Sequence, residues 1–162
     1  MIKNPFQIIR DATPSADIPR GAVIALGNFD GVHLGHRTVI AAAEKMAKSA
    51  GKKAFALSFE PHPRSFFTPT AAHFRLTNEQ AKLRLLAGTG LDGAVVLDFN
   101  AARAATTALD FINQELVERL GVSGISVGDD FHFGKGRGGS PATLAEQGER
   151  LGIKVHIQSH VD

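Results

Sequence analysis

The chain has 162 residues, of which 43% are hydrophobic and 21% are charged, as expected for one compact domain with an ordinary core. It contains no cysteine, which excludes disulfide bridges and thiolate metal sites. The formal net charge is only +2 and the basic residues are dispersed, so polymeric nucleic acid is not an expected partner. With no apolar run of about 18 residues and no signal-peptide core, we expect a cytoplasmic protein without a membrane span.

Apolar segments alternate with helical segments along the chain. Continuous apolar runs predict buried strands at residues 22–29, 54–59, 93–99, 124–128 and 153–157. Apolar residues at helical spacing predict helices at residues 36–50, 77–87, 107–120 and 141–151. This alternation predicts an α/β fold with a doubly wound, mostly parallel five-stranded sheet, helices on both faces and a single domain over residues 1–162.

Local end signals support several of these helices. Gly51 is placed to end the first helix. Thr77, with Gln80 three residues later, forms a predicted capping box. Ser140 is a predicted N-cap, and Pro141 takes the first helical position, where proline is tolerated.

The segment GNFDGVHLGH, residues 27–36, leads from the first predicted strand into the first predicted helix. Its glycines permit a tight turn, and the helix amides that begin near Gly35 present unpaired N–H groups and the positive end of a helix dipole. His33 and His36 are separated by two residues, so both imidazoles can converge on one phosphate group. The segment therefore predicts an anion site.

Two other interpretations of these histidines are open. They could be zinc ligands, although no third histidine and no cysteine lies close in sequence, and Asp30 alone adds little to the ligand set. They could also be ordinary surface histidines, which the surrounding glycines disfavour.

The segment FEPHP, residues 59–63, follows the second predicted strand. Its two prolines stiffen the backbone, so that Phe59, Phe66 and Phe67 could offer an apolar wall to a flat ring. A proline-rich turn of this kind is more often the edge of a core. The position after a strand favours a site.

The segment VGDDFHFGKGRGG, residues 127–139, follows the fourth predicted strand. Its glycines match GxGxxG, but they lie too far past the strand for a dinucleotide fingerprint, so we exclude an NAD site. A flexible basic loop that closes over phosphates is the favoured interpretation, and a solvated glycine-rich loop is the alternative. Asp130 lies beside two phenylalanines, where a carboxylate needs a hydrogen-bond partner such as an amide or a ribose.

Together the three segments resemble the N-terminal adenylyltransferase domain of the prokaryotic bifunctional riboflavin kinase/FMN adenylyltransferases, also called FAD synthetases. The resemblance covers almost the whole chain in order. It implies a nucleotidylyltransferase (Rossmann-like) fold that joins ATP to FMN and yields FAD and pyrophosphate. It implies Mg²⁺ bound with ATP, FMN as substrate and FAD as product, without identifying the protein ligands of the metal.

The resemblance also implies roles for particular residues. Those that hold the ATP phosphates and stabilise charge in catalysis are His33 and His36. Those that shape the ATP pocket are Gly27, Asn28, Phe29, Asp30 and Gly35. The flavin nucleotide would lie toward Phe59, Pro61, His62, Pro63 and Asp130.

The chain departs from the family pattern in two places. His132 stands where the family commonly has arginine in its DFRFG stretch. The family continues into a riboflavin kinase domain, preceded by an ISSTxIR-like segment, and the chain ends at Asp162 without either. We therefore expect it to fold and bind nucleotide but to turn over more slowly than a longer form.

Two rival functions are open at this point. One is a nucleotidylyltransferase that takes another phosphorylated substrate, nicotinamide mononucleotide or phosphopantetheine. The other is a non-catalytic module that binds flavin or ATP.

Overall fold

The computed structural model describes residues 5–29, 34–60 and 79–159, and within them six parallel strands form one sheet in the order β1-β4-β3-β2-β5-β6. The strands are β1 Gln7–Arg10, β2 Val23–Leu26, β3 Ala54–Glu60, β4 Gly93–Asp98, β5 Gly124–Gly128 and β6 Lys154–Gln158. The helices are α1 Leu34–Ala50, α2 Glu79–Ala87, α3 Ala101–Ala104, α4 Ala108–Asp110, which continues into a π-helix at Phe111–Arg119, and α5 Pro141–Leu151. The predicted α/β fold with a doubly wound parallel sheet is confirmed.

The predicted count of five strands was one too low, because β1 was missed. This strand has four residues at the edge of the sheet, and of these only Ile9 is buried. It pairs with β4 through Ile9 and Val95. So short a strand with one buried side chain leaves no continuous apolar run in the sequence.

Side chains alternate between the two faces of the sheet, and each face is covered by helices. One face packs against the π-helix and α5, and its buried apolar strand residues are Ile9, Ile24, Leu26, Phe55, Leu57, Phe59, Val95, Leu97, Ile125 and Val127. The other face packs against α1 and α2, and its buried strand residues are Val23, Ala25, Ala54, Ala56, Ala94 and Val96. Because this second face is rich in alanine, α1 can approach it closely through Ala43 and Ala47.

The ends of α1 and α5 follow their predicted local signals. Gly51 has a φ of +67°, which ends α1 in the left-handed conformation. Ser140 and Thr143 form a reciprocal capping box at the start of α5, and Pro141 occupies its first turn. The predicted N-cap Thr77 lies outside the described residues.

None of the helices in the described part of the chain has both the length and the apolar character to cross a lipid bilayer.

The predicted helix at residues 107–120 differs from the structure in its winding. Beyond Asp110 it is π-helical, with wider turns than an α-helix, and this changes which residues face the sheet. Leu109, which α-helical spacing placed on the apolar face, is 48% exposed, whereas Phe111 is buried. The π-helix thus brings an aromatic ring to the carboxyl end of the sheet.

Strands β2 and β5 are neighbours in the middle of the sheet, with Leu26 opposite Val127. The chain leaves β2 toward β3 on one side and leaves β5 toward β6 on the other. In open parallel sheets a crevice forms beyond the carboxyl ends of two such strands, and ligands bind there.

Candidate active site

A cavity lies at the carboxyl ends of β2, β5 and β6, in the crevice that the topology predicts. The turn after β2 contributes Gly27, and the first turn of α1 contributes His36. The segment after β5 contributes Asp129 and Asp130, and Gln158 at the end of β6 closes the far side. We call this the first cavity. It combines an imidazole and a helix N-terminus with two carboxylates.

The turn after β2 holds Phe29 in an unusual backbone conformation. Phe29 has a φ of +53° and is completely buried. A side chain larger than hydrogen at Gly27 would meet the Phe29 ring at 3.1 Å, so the ring folds back over this glycine. For a residue other than glycine, this conformation costs about 1 to 2 kcal/mol, and such strain is concentrated at functional sites.

A second cavity adjoins the first and is walled by phenylalanine rings from several elements. Phe59 at the end of β3 lies 5.8 Å, centroid to centroid, from both Phe99 and Phe111. Phe133 lies 5.8 Å from Phe111 and stacks on Phe131 at 6.2 Å with an interplanar angle of 16°. We call this the aromatic cavity. Phe131 also lines the first cavity, so the two share a wall.

Two arginines stand at the rim of the aromatic cavity. Arg103 on α3 is held by Asp11, whose Oδ1 accepts a hydrogen bond from its Nη2 at 2.7 Å. Arg137 lies 3.4 Å, through its Nη2, from Nδ1 of His132, and its backbone has a φ of +55°. The aromatic cavity is therefore apolar on its walls and cationic at its edge.

The glycine-rich segment after β5 was predicted to be a flexible basic loop, but it is a hydrogen-bonded turn. Phe133 and Gly139 exchange both backbone hydrogen bonds, and Lys135 donates its backbone N–H to the carbonyl of Thr106 at 2.8 Å. A Cβ at Gly134 would lie 2.7 Å from the backbone nitrogen of Ala108, so the turn packs directly on the start of α4. Gly134 and Gly139 therefore serve close packing, whereas Gly136 faces open space and supplies a φ of +63°.

The structure brings some of the predicted site residues together and separates others. Gly27, Phe29, His36 and Asp130 line the first cavity, with Gly35 in the first turn of α1. Asn28, predicted with the ATP pocket, lines the aromatic cavity together with Phe59. Asp130, predicted with the flavin, lies on the first cavity. The predicted residues Asp30, His33, Pro61, His62 and Pro63 lie outside the described residues, and the roles of all these residues stay predictions.

Sequence reasoning missed several residues of the aromatic cavity, namely Phe99, Arg103, Phe111, Phe131 and Phe133. For Phe99 a signal was present, because it is the last residue of the predicted strand 93–99, whose carboxyl end was left out of the predicted site. Phe111 carried no local signal, since its position depends on the π-helical winding.

The described residues contain no group of three or more histidine, aspartate or glutamate side chains placed to hold a metal ion. The zinc interpretation of the histidines gains no support from this part of the chain. Asp129 and Asp130 offer carboxylate oxygens at the first cavity, the ligand type that suits Mg²⁺ when phosphates and waters complete its coordination.

Comparisons with known proteins agree with this geometry. The FAD synthetase family model matches residues 15–162. The chain is 38% identical over 157 residues to the bifunctional riboflavin kinase/FMN adenylyltransferase of Pseudomonas fluorescens, covering 97% of this chain and 50% of that protein. It is also 38% identical over 151 residues to the protein of the same name from Escherichia coli, covering 93% of this chain and 48% of that protein.

Among solved structures, the fold is similar to a Streptococcus pneumoniae chain described as a macrolide-efflux protein. The TM-score is 0.78 at 24% identity, over 96% of this chain and 50% of the other. At this identity the likeness shows the fold alone. The chain spans about half the length of the curated relatives it matches. Because the family model covers nearly the whole sequence, the chain belongs to the FAD synthetase family.

Proposed function

We propose that this domain is an FMN adenylyltransferase, which joins ATP and FMN to form FAD and pyrophosphate. The observation that carries the proposal is that the first cavity and the aromatic cavity share the wall formed by Phe131. A site suited to phosphates beside a site suited to a flat ring fits an enzyme that joins two nucleotides through their phosphates.

ATP occupies the first cavity in this proposal. The backbone amides in the first turn of α1 and the imidazole of His36 face its phosphates, because a helix N-terminus and a histidine both donate hydrogen bonds to anions. The adenosine extends toward Gln158 and β6. Asp129 and Asp130 lie where Mg²⁺ that enters with ATP can bind carboxylate oxygens.

FMN occupies the aromatic cavity, with its isoalloxazine ring against Phe59, Phe99 and Phe131. Aromatic rings favour offset or edge contacts with a flat partner and supply large apolar area. Arg103 and Arg137 at the rim supply positive charge for an anionic or carbonyl-bearing ligand. The FMN phosphate then points past Phe131 toward the ATP phosphates.

The reaction is a single in-line displacement. An oxygen of the FMN phosphate attacks the α-phosphorus of ATP, a new P–O–P bond forms, and the bond from the α-phosphorus to the bridging oxygen breaks to release pyrophosphate. The attacking phosphate is already ionised near neutral pH, so a general base is not required. The protein acts by positioning the two nucleotides and by stabilising charge through His36 and the α1 amides.

The names of the relatives add a second activity, riboflavin kinase, which would supply FMN to this site. We propose that this activity belongs to the half of those relatives that the present chain does not match. A chain without cysteine that uses ATP suits the cytoplasm, which is the location we propose.

The test is to incubate the chain with ATP, Mg²⁺ and one acceptor, and to measure pyrophosphate and FAD. FAD formed in equal amount to pyrophosphate is the expected result with FMN. Pyrophosphate release with nicotinamide mononucleotide or phosphopantetheine but not with FMN would assign a different acceptor. Binding of FMN and ATP without pyrophosphate release would leave a binding module.

A further inference from the structure

Asn28 carries a buried acceptor without a partner at the wall of the aromatic cavity. Among the described residues, its Oδ1 is shielded from solvent and accepts no hydrogen bond. We propose that Asn28 is a specificity-determining residue, which accepts a hydrogen bond from the imide N–H of the isoalloxazine ring. This inference rests on the proposed function and assigns Asn28 to the flavin, whereas the family resemblance implied a place in the ATP pocket.

An unsatisfied buried oxygen needs a physical reason, because folding removes it from water and gives no hydrogen bond in return. Most such oxygens in folded proteins find a partner, and a functional role is one of the explanations for an exception. A ligand in the first cavity would not satisfy this oxygen. Gly27 and Phe29 line the first cavity, whereas Asn28, which lies between them in the sequence, lines the aromatic cavity. The acceptor thus belongs to the aromatic cavity.

The backbone on both sides of Asn28 prevents it from turning away from this cavity. Phe29 is completely buried with a φ of +53°, and Gly27 is packed against the Phe29 ring. The side-chain amide itself can still rotate, because the last torsion of asparagine has a broad energy minimum. A bound ligand can therefore draw Oδ1 from the wall into the cavity while the main chain stays in place.

The chemistry of the cavity selects the ligand group. The phenylalanine walls require a flat ring, and the free acceptor requires an N–H on the edge of that ring. The pyrimidine edge of a flavin has one imide N–H between two carbonyl oxygens. The amide of Asn28 can accept from this N–H and donate to a flanking carbonyl, and Arg103 and Arg137 favour the same carbonyl oxygens. Adenine presents an amino group without neighbouring carbonyl oxygens, so Arg103 and Arg137 do not favour the binding of adenine in this cavity.

The experiment compares FMN with N3-methyl-FMN, in which a methyl group replaces the imide hydrogen. Binding is measured by quenching of flavin fluorescence, for the wild type and for Asn28→Ala. We expect the wild type to bind FMN about 10-fold more tightly than the methylated analogue, as for one buried hydrogen bond. We expect Asn28→Ala to bind the two flavins about equally, because the acceptor is gone and the space admits the methyl group.

Thermal unfolding without ligand separates this role from a structural one. Because Asn28→Ala removes an unsatisfied polar group, its Tm is expected to equal or exceed that of the wild type. Asn113→Ala, in the π-helix and outside both cavity linings, is the matched control and should keep the wild-type preference for FMN. Equal binding of the two flavins by the wild type would overturn the inference and leave the proposed function standing. Absence of FMN binding by the wild type would overturn both.

Discussion

The ring of Phe29 meets the imidazole of His36 edge to face, with centroids 5.3 Å apart and planes at 75°. A strained, fully buried residue in the turn after β2 therefore orients the histidine in the first turn of α1. The contact links the tight turn that the glycines permit to the direction of the side chain proposed to face the ATP phosphates.

Replacing Phe29 with leucine should lower turnover by more than its effect on folding explains. The smaller side chain no longer fixes the imidazole, and a misplacement of about 1 Å can reduce rate by up to about 100-fold. The measurement is kcat for FAD formation together with Tm. Phe55→Leu is the control, since Phe55 in β3 is almost as completely buried in the core but lines neither cavity. Equal losses of kcat in the two variants would show that only packing matters.

Removing the imidazole of His36 should raise the barrier to adenylyl transfer by about 2 to 4 kcal/mol, the range for one preorganised donor. The variant is His36→Ala, and its kcat is compared with that of Lys45→Ala, an exposed position on the same helix. Folding of both variants is checked by circular dichroism. Wild-type kcat in folded His36→Ala would refute the proposed charge-stabilising role.

Asp130 is expected to serve binding rather than stability. It is exposed at the carboxyl end of β5, so Asp130→Asn should keep most of the Tm while nucleotide binding weakens through loss of charge. A Cβ at Gly128 would lie 3.2 Å from Oδ1 of Asp130. The variant Gly128→Ala should therefore displace this carboxylate and also weaken nucleotide binding. Gly88→Ala, where the nearest atom would be an ordinary contact at 3.5 Å, is the control. Lower Tm with intact binding would reverse the assignment.

The sequence predicted those features of the fold whose signals are local. Ser140 and Pro141 start α5 as predicted, and Gly51 ends α1 in the left-handed conformation as predicted, because each signal lies at the end of its own helix. All five predicted strands are present. Strands β2 to β5 were evident for a similar reason, since burial on both faces produces a continuous apolar run. Strand β6 is present but was wrongly predicted to be buried, because it lies at the edge of the sheet with its side chains partly or fully exposed.

The missed features depend on contacts between distant segments. Strand β1 is defined by its pairing with β4 and not by a pattern in its own residues. The two strands pair closely, since a Cβ at Gly93 would lie 2.1 Å from the carbonyl oxygen of Gln7 and only glycine permits this approach. The aromatic cavity is assembled from β3, the end of β4, the π-helix and the segment after β5. A pattern along one segment cannot predict that Phe59 and Phe111 meet.

A buried ion pair anchors the end of β3 beside the aromatic cavity. Lys82 on α2 is 1% exposed, and its Nζ lies 2.6 Å from Oε1 of Glu60, which is 10% exposed. The contact is an ion pair and not a well-directed hydrogen bond. Lys82→Met should lower the free energy of unfolding by about 3 to 5 kcal/mol, because it removes the ammonium group that faces a largely buried carboxylate.

Urea unfolding of three variants tests this expectation. The double variant Glu60→Leu/Lys82→Met should recover most of the loss, since removing both partners leaves no unpaired charge in the core. Arg10→Met is the control, because Arg10 pairs with Glu79 on the same helix at 2.7 Å but the two side chains are 50% and 36% exposed. A solvent-screened pair of this kind contributes about 0 to 1 kcal/mol. If Lys82→Met is no more destabilising than Arg10→Met, then burial of the pair does not matter and the end of β3 is held by its apolar contacts alone.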